Sequence, residues 1–362
     1  MMYNSTIIIW VGVYLEKKNR VYSLDKMKGI ISILIALYHY VSWSEGETLT
    51  FIDQFLSKIG IYGVSIFYVI SGTTLFLVYE NRLKWPKIGF IFKRLIRISP
   101  LFYLATIITI FLNKLNGFGV PDLYKIIINF TYLFGIVDHG NYIVTGGWFI
   151  GNIVFFYLIF PFLLKLIKKS VNLFKVLFAL AIGIAIYVSS FLSNGISSWD
   201  EYWVEYINPL NQLYLFVGGM LIGWLYKNKK LIINQKKSIL IFISFIILFS
   251  LAPMDINNQI YLVMGIERIL FSIITFSICY FALMIKTGNS SLFSKSILFF
   301  GEVSFSIYLY HPIAYQITKM VSLFNGKYDF IIFVCLTLSL SVITHMFVDI
   351  PVKKYCQKII MS

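Results

Sequence analysis

The residues that could do chemistry in this sequence are ionisable groups set in apolar runs, where lipid makes them costly and a function or a partner must justify them. Residues 22–40 read YSLDKMKGIISILIALYHY, with Asp25 and Lys28 near the start and His39 eleven residues beyond Lys28. On a helix rising about 1.5 Å per residue that spacing carries His39 some 16 Å inward, near the middle of a hydrocarbon core about 30 Å thick. A neutral imidazole held there could take a proton from an acceptor hydroxyl. The plainer account is a structural histidine bonded to a neighbouring helix, with Lys28 as a topology charge. His311, in GEVSFSIYLYHP (301–312), lies about 21 Å along its own helix from residue 297. Both histidines therefore reach mid-core depth or slightly beyond.

Two further patterns stand close by. Residues 63–72, GVSIFYVISG, alternate small residues with aromatics and include Tyr68, Ser71 and Gly72. Small residues let helices approach closely, and serine hydroxyls can bond internally to carbonyls. FKRLIRISPLFY (92–103) then places Arg94 and Arg97 three residues apart. That spacing sets both guanidiniums on one helical face, able to grip phosphate oxygens in bidentate fashion, although an ordinary basic flank of a membrane helix also explains it.

The elements that must position these groups follow from composition. The chain has 362 residues, 59% hydrophobic, 18% aromatic and only 13% charged, with a mean hydropathy of +0.80. Soluble domains carry about 25% charged residues, so the expected class is an all-α integral membrane protein. Apolar segments at 29–43, 58–79, 98–112, 147–164, 174–192, 210–226, 238–253, 260–285, 297–318 and 328–348 give about ten transmembrane helices. Residues 126–137 fall short of spanning length and read as interfacial or re-entrant.

With the N-terminus inside, 25 of the 31 Lys and Arg fall in the inner stretches 16–28, 80–97, 165–175, 227–237, 286–295 and 349–362, which is the positive-inside pattern with both termini cytoplasmic. The net charge of +15 is thus a topology signal, not a nucleic-acid footprint. Cys279, Cys335 and Cys356 lie far apart, so neither a disulfide framework nor a metal cluster is expected. No internal repeat or soluble domain is evident. The organisation reads as an N-terminal segment (1–21), interfacial in character, one membrane domain (22–355) and a cytoplasmic tail (356–362).

In order, Lys28 and His39, then 63–72, then 94–103, then GEVSFSIYLYHP, then Asp349-Ile350-Pro351 resemble the signatures of the family-3 membrane acyltransferases. The resemblance spans roughly 22–355. It departs at WFIGNIVFFYLIFP (148–161), which keeps Trp148, Tyr157 and Pro161 but has Ile153 where many members carry a glutamate; Asn152 is the nearest polar residue and reads as structural.

The resemblance implies transfer of an acyl group, usually acetyl, from cytoplasmic acyl-coenzyme A to a hydroxyl of a cell-surface polysaccharide or its lipid-linked precursor, in a bacterial cytoplasmic membrane. It implies His39 and Lys28 as catalytic residues. Asp25, Tyr68, Ser71, Gly72, Arg94, Arg97, Trp148, Tyr308 and His311 would bind substrate, the thioester arm passing Ser71 and Gly72 to reach His39. The implied partners are acetyl-coenzyme A as donor, a carbohydrate acceptor and the bilayer, with no metal and no nucleic acid; a homo-oligomer is left open. Glu267 and Arg268, adjacent within the eighth segment, face about 100° apart and so should not pair; they either line an acceptor pocket or bond other helices. The rival reading is a transporter or flippase of a glycan precursor, whose buried His, Glu and Arg would be relays.

Overall fold

In lipid a backbone must satisfy its own hydrogen bonds, and the computed structural model does so with helices alone among its described residues. Those residues are 21–44, 50–81, 88–192, 199–230, 233–254, 259–288, 291–322, 326–352 and 354–355. Nearly all of the N-terminal segment 1–21 and the whole tail 356–362 lie outside them. The helices are α1 (Tyr22–Trp43), α2 (Thr50–Tyr79), α3 (Ile88–Leu115), α4 (Leu123–Phe130), α5 (Phe134–Val137), α6 (Gly147–Lys169), α7 (Val171–Tyr187), α8 (Trp199–Ile207), α9 (Pro209–Lys227), α10 (Gln235–Leu251), α11 (Gly265–Met284), α12 (Leu292–Met320) and α13 (Asp329–Thr344). Single π turns, Val188–Leu192 and His345–Asp349, extend α7 and α13.

Among the described residues, seven helices are long and apolar enough to cross a membrane: Phe51–Tyr79, Gly89–Leu115, Gly147–Lys169, Val171–Ser190, Gly265–Met284, Leu292–Met320 and Asp329–Val352. The other three expected spans are also helical, as α1, α9 and α10. Two local features differ from a simple reading of hydropathy. The segment expected at 260–285 opens with a 3-10 turn, Gln259–Val263, and the helix starts only at Gly265, whose φ of 52° is left-handed. Residues 126–137 fall on α4 and α5, separated at Tyr132 with φ 60°; eight residues of helix rise about 12 Å, too little to cross.

The most extensive helix pair is α2 against α9. A Cβ on Gly72 would strike the Phe216 carbonyl, and one on Gly219 the Val69 carbonyl. Thr73 Oγ1 bridges the same contact, donating to Val69 O at 2.8 Å and Gly219 O at 2.9 Å. Gly72→Val should therefore cost about 1–3 kcal/mol through overpacking, seen as a lower unfolding midpoint in detergent; an unchanged midpoint would show that the helices can separate freely. At the far end of α2, Lys58 is fully buried and its ammonium donates to the carbonyls of Ser250 and Ala252. A cation there answers the exposed carbonyls that end α10.

Next in extent is α1 against α12, and these two helices run parallel in one register. Lys26 reaches Ser294, Gly29 lies on Gly301, His39 meets His311, and the Trp43 carbonyl accepts from Tyr315. Between two parallel crossings the chain must cross an odd number of times, and among the described residues seven long helices intervene: α2, α3, α6, α7, α9, α10 and α11.

The shared register also exposes a correspondence that hydropathy hides. Residues 29–39 and 301–311 both read G-x-x-S-x-x-I-x-L-Y-H, and they use the pattern alike. Ser32 Oγ donates to Gly29 O and Ser304 Oγ to Gly301 O, each at 2.9 Å. His39 Nδ1 lies 3.0 Å from Ile35 O and His311 Nδ1 lies 3.1 Å from Ile307 O. The sequence thus does contain a repeat. It is eleven residues long, and two copies 272 positions apart stand out only when their helices lie side by side.

Candidate active site

Each histidine is fixed by its own helix. A ring nitrogen bonded to the carbonyl four residues back cannot swing freely, and both His39 and His311 are held in this way. Pro312, next in the chain, lacks the N–H that would bond the Tyr308 carbonyl. Because Gly29 and Gly301 let α1 and α12 touch backbone to backbone, the rings meet ten residues further along, with His311 Nε2 3.1 Å from His39 Nδ1. His311 is 1% exposed, whereas His39 is half-buried. One residue is sealed and the other is partly exposed.

Trp43 covers the pair. Its indole lies 4.6 Å from the His39 ring and stacks at 10° on His311, 6.1 Å away. Beyond Trp43, at the ends of α1 and α12 and the start of α13, a cavity of about 440 Å³ is lined by Tyr40, Trp43, Ser44, Lys319, Gly326 and Asp329. The Lys319 ammonium and the Asp329 carboxylate face each other at 3.5 Å. Rings plus paired charges suit a polyhydroxylated ligand, which offers apolar faces and many hydroxyls.

On the other side of the histidines an aromatic series runs into the bundle. Tyr308 lies 6.1 Å from His311 and 5.4 Å from Phe149, which is 4.9 Å from Tyr68, itself 6.3 Å from Trp148. The Tyr308 hydroxyl donates to Gly146 O at 2.9 Å, where a φ of 81° turns the chain into α6. Asn152, fully buried, donates to Tyr68 Oη at 2.9 Å and to Ile207 O at 2.8 Å. Nearer the surface, burial raises the Tyr142 phenol above its ordinary value, partly offset by the Trp203 indole N–H donating to it at 2.9 Å.

Five of the residues singled out in the sequence, Tyr68, Trp148, Tyr308, His311 and His39, therefore form one connected group. Lys28 does not join them: it pairs with Asp25 at 2.6 Å, eleven residues and roughly 16 Å from His39 along α1. Ser71 is half-buried on α2, and Gly72 faces the Phe216 backbone of α9.

Arg94 and Arg97 stand apart on α3. The Arg94 guanidinium lies 4.9 Å from the Tyr79 ring, 5.7 Å from Phe90 and 5.9 Å from Tyr157, and its buried Nε has no hydrogen-bond partner among the described residues. Arg97 is exposed. Neither makes an ion pair among the described residues.

Arg268 is 4% exposed; its guanidinium donates to Asn211 O at 3.0 Å and Ala185 O at 3.4 Å and lies over Tyr214. It ties α7, α9 and α11 together, and Glu267 is not its partner among the described ion pairs. His345 pairs with Asp349 at 2.8 Å.

Sequence reasoning missed Trp43, although its place one helical turn after His39 was a usable signal. It also did not single out Tyr40 and Tyr315, which pack against each other at 6.1 Å. Among the described residues no group of His, Cys, Asp and Glu could hold a metal ion.

A family model described as an acyltransferase domain matches residues 21–346. No curated protein and no solved structure matches the chain. The match takes in α1 through α13, the paired histidines included. The chain belongs to the acyltransferase 3 family of membrane acyltransferases.

Proposed function

We propose that this protein transfers an acetyl group from cytoplasmic acetyl-coenzyme A to a hydroxyl of a surface polysaccharide, or of its lipid-linked precursor, across a bacterial cytoplasmic membrane, with His39 as general base. The observation that carries the reading is a half-buried histidine locked in place within the bundle, with a polar, ring-lined cavity one helical turn further out. The acceptor enters that cavity and presents one O–H to His39. As His39 takes the proton, the acceptor oxygen bonds to the thioester carbonyl carbon and the carbon–sulfur bond breaks. The departing thiolate then recovers the proton from the imidazolium, so that an ester and free coenzyme A result.

Positioning of the donor falls to Arg94 and Arg97. Two guanidiniums without a carboxylate partner among the described residues, at the end of α3 that we read as cytoplasmic, match the phosphates of a nucleotide. Aromatic rings around Arg94 hold it in place without neutralising it. Acetyl-coenzyme A at 100 times its Kd should stabilise the native protein by about 2.7 kcal/mol, read as a rise in melting midpoint. The double variant Arg94→Ala, Arg97→Ala should lose most of that rise while keeping its own midpoint near the native value. A native protein indifferent to the nucleotide would move the reading to transport.

A further inference from the structure

Resting on that reading, we infer that His311 is a positioning residue, whose Nε2 lone pair accepts from His39 Nδ1–H and thereby fixes His39 Nε2 as the atom that takes the substrate proton. The assignment follows from which groups can donate. Carbonyl oxygens only accept, so the nitrogens facing them must carry hydrogen: His311 Nδ1 faces Ile307 O at 3.1 Å and His39 Nδ1 faces Ile35 O at 3.0 Å. A neutral imidazole has one N–H, so His311 Nε2 bears a lone pair. That lone pair sits 3.1 Å from His39 Nδ1, whose single hydrogen is shared between it and the Ile35 carbonyl. Every contact is then satisfied with both rings neutral, and the nitrogen left bare on the partly open ring is His39 Nε2.

The reverse arrangement fails on the same grounds. If His39 Nδ1 were the acceptor, His311 would have to donate from both nitrogens and so be an imidazolium, sealed at 1% exposure with no carboxylate pairing it among the described residues. The Ile35 carbonyl would also face a lone pair at 3.0 Å.

The repeated motif sharpens the point. Two helices with the same G-x-x-S-x-x-I-x-L-Y-H pattern anchor their histidines identically, yet the bond between the rings joins Nδ1 of one to Nε2 of the other. This direction breaks the equivalence and divides the roles. With both of its nitrogens engaged, His311 has none to offer to donor or acceptor. It acts through His39 instead, holding the ring and receiving a hydrogen bond that strengthens when His39 becomes cationic, as an orienting group does for a general base.

The test uses the full chain in lipid nanodiscs, labelled with nitrogen-15 in its histidine rings, the four histidines being assigned with single His→Gln variants. Both His39 and His311 should be protonated at Nδ1 and bare at Nε2, with scalar coupling between His39 Nδ1 and His311 Nε2 through the shared hydrogen. A His39 ring protonated at Nε2, or no coupling, overturns the inference. Kinetics supply a second readout, acetyl-coenzyme A thiol release in the presence of glycan from a host lacking the protein. His311→Phe keeps a ring but offers no acceptor, and should lower kcat about 10–100-fold with the KM for acetyl-coenzyme A unchanged. His311→Gln, whose amide oxygen can accept, should recover most of the loss. A raised KM with unchanged kcat would instead mean that His311 binds donor. Should the native chain release no thiol at all, the ring nitrogens still decide the pairing, and it is the proposed transfer that falls.

Discussion

His39→Ala should abolish measurable transfer, lowering it about 10²–10⁴-fold, the range a positioned general base supplies. The measurement is ester-linked acetyl on surface glycan, by proton NMR, in a host whose own copy has been deleted and replaced by native or variant protein at equal membrane abundance. His39 is held by the Ile35 carbonyl and by His311 at 3.0 and 3.1 Å and packs on Trp43 at 4.6 Å, while the Gly29–Gly301 contact of α1 with α12 does not depend on it, so the variant should still fold. Acetyl restored in full by His39→Ala would remove the histidine from the mechanism while leaving the family assignment intact. Glycan acetylation unchanged by the deletion itself would point to another acyl group or acceptor.

Gly301→Val is expected to have the second largest effect, for a different reason. Any Cβ at residue 301 would run into the Asp25 carbonyl, backbone that cannot rotate out of the way. Overpacking of this kind costs about 1–3 kcal/mol or more, and prising α1 from α12 also moves His39 away from His311 ten residues further along. Loss of stability and loss of transfer should therefore appear together, in contrast to His39→Ala, where transfer alone falls. A Gly301→Val protein with native melting and native acetylation would mean that the registered pairing of α1 and α12 is not needed.

Much of the architecture was legible because lipid leaves few choices. Apolar runs of spanning length and a lopsided distribution of Lys and Arg are strong signals, and each of the ten expected segments falls on a helix. Breaks within those segments were not legible. Gly265 and Tyr132 interrupt helices through a left-handed φ, which the average apolarity around them does not reveal. Within the site, the depth of His39 and His311 could be counted from helix rise, but not that they touch. That depends on Gly29 meeting Gly301, and each glycine alone reads as one of many small residues.

Gly72 shows the converse. The resemblance implies a passage for the donor there, and the Phe216 carbonyl packs directly against it. Spacing correctly brought Arg94 and Arg97 onto one helix, but it could not foresee that Arg94 would be wrapped by Tyr79, Phe90 and Tyr157 while Arg97 stays exposed.

The pairing of α1 with α12 also governs when the protein can become complete. Ribosomes add about 5–20 residues per second, so the 272 residues separating His39 from His311 correspond to roughly 14–54 s of synthesis. Through that interval α1 is already made but lacks its glycine-to-glycine contact and its second histidine. It must be sheltered by α2, against which Gly63 packs on Ile31 and Ile35, or by the insertion machinery. The contact between the two histidines is thus among the last to be assembled, and a chain stopped short of α12 would hold His39 without its His311 partner.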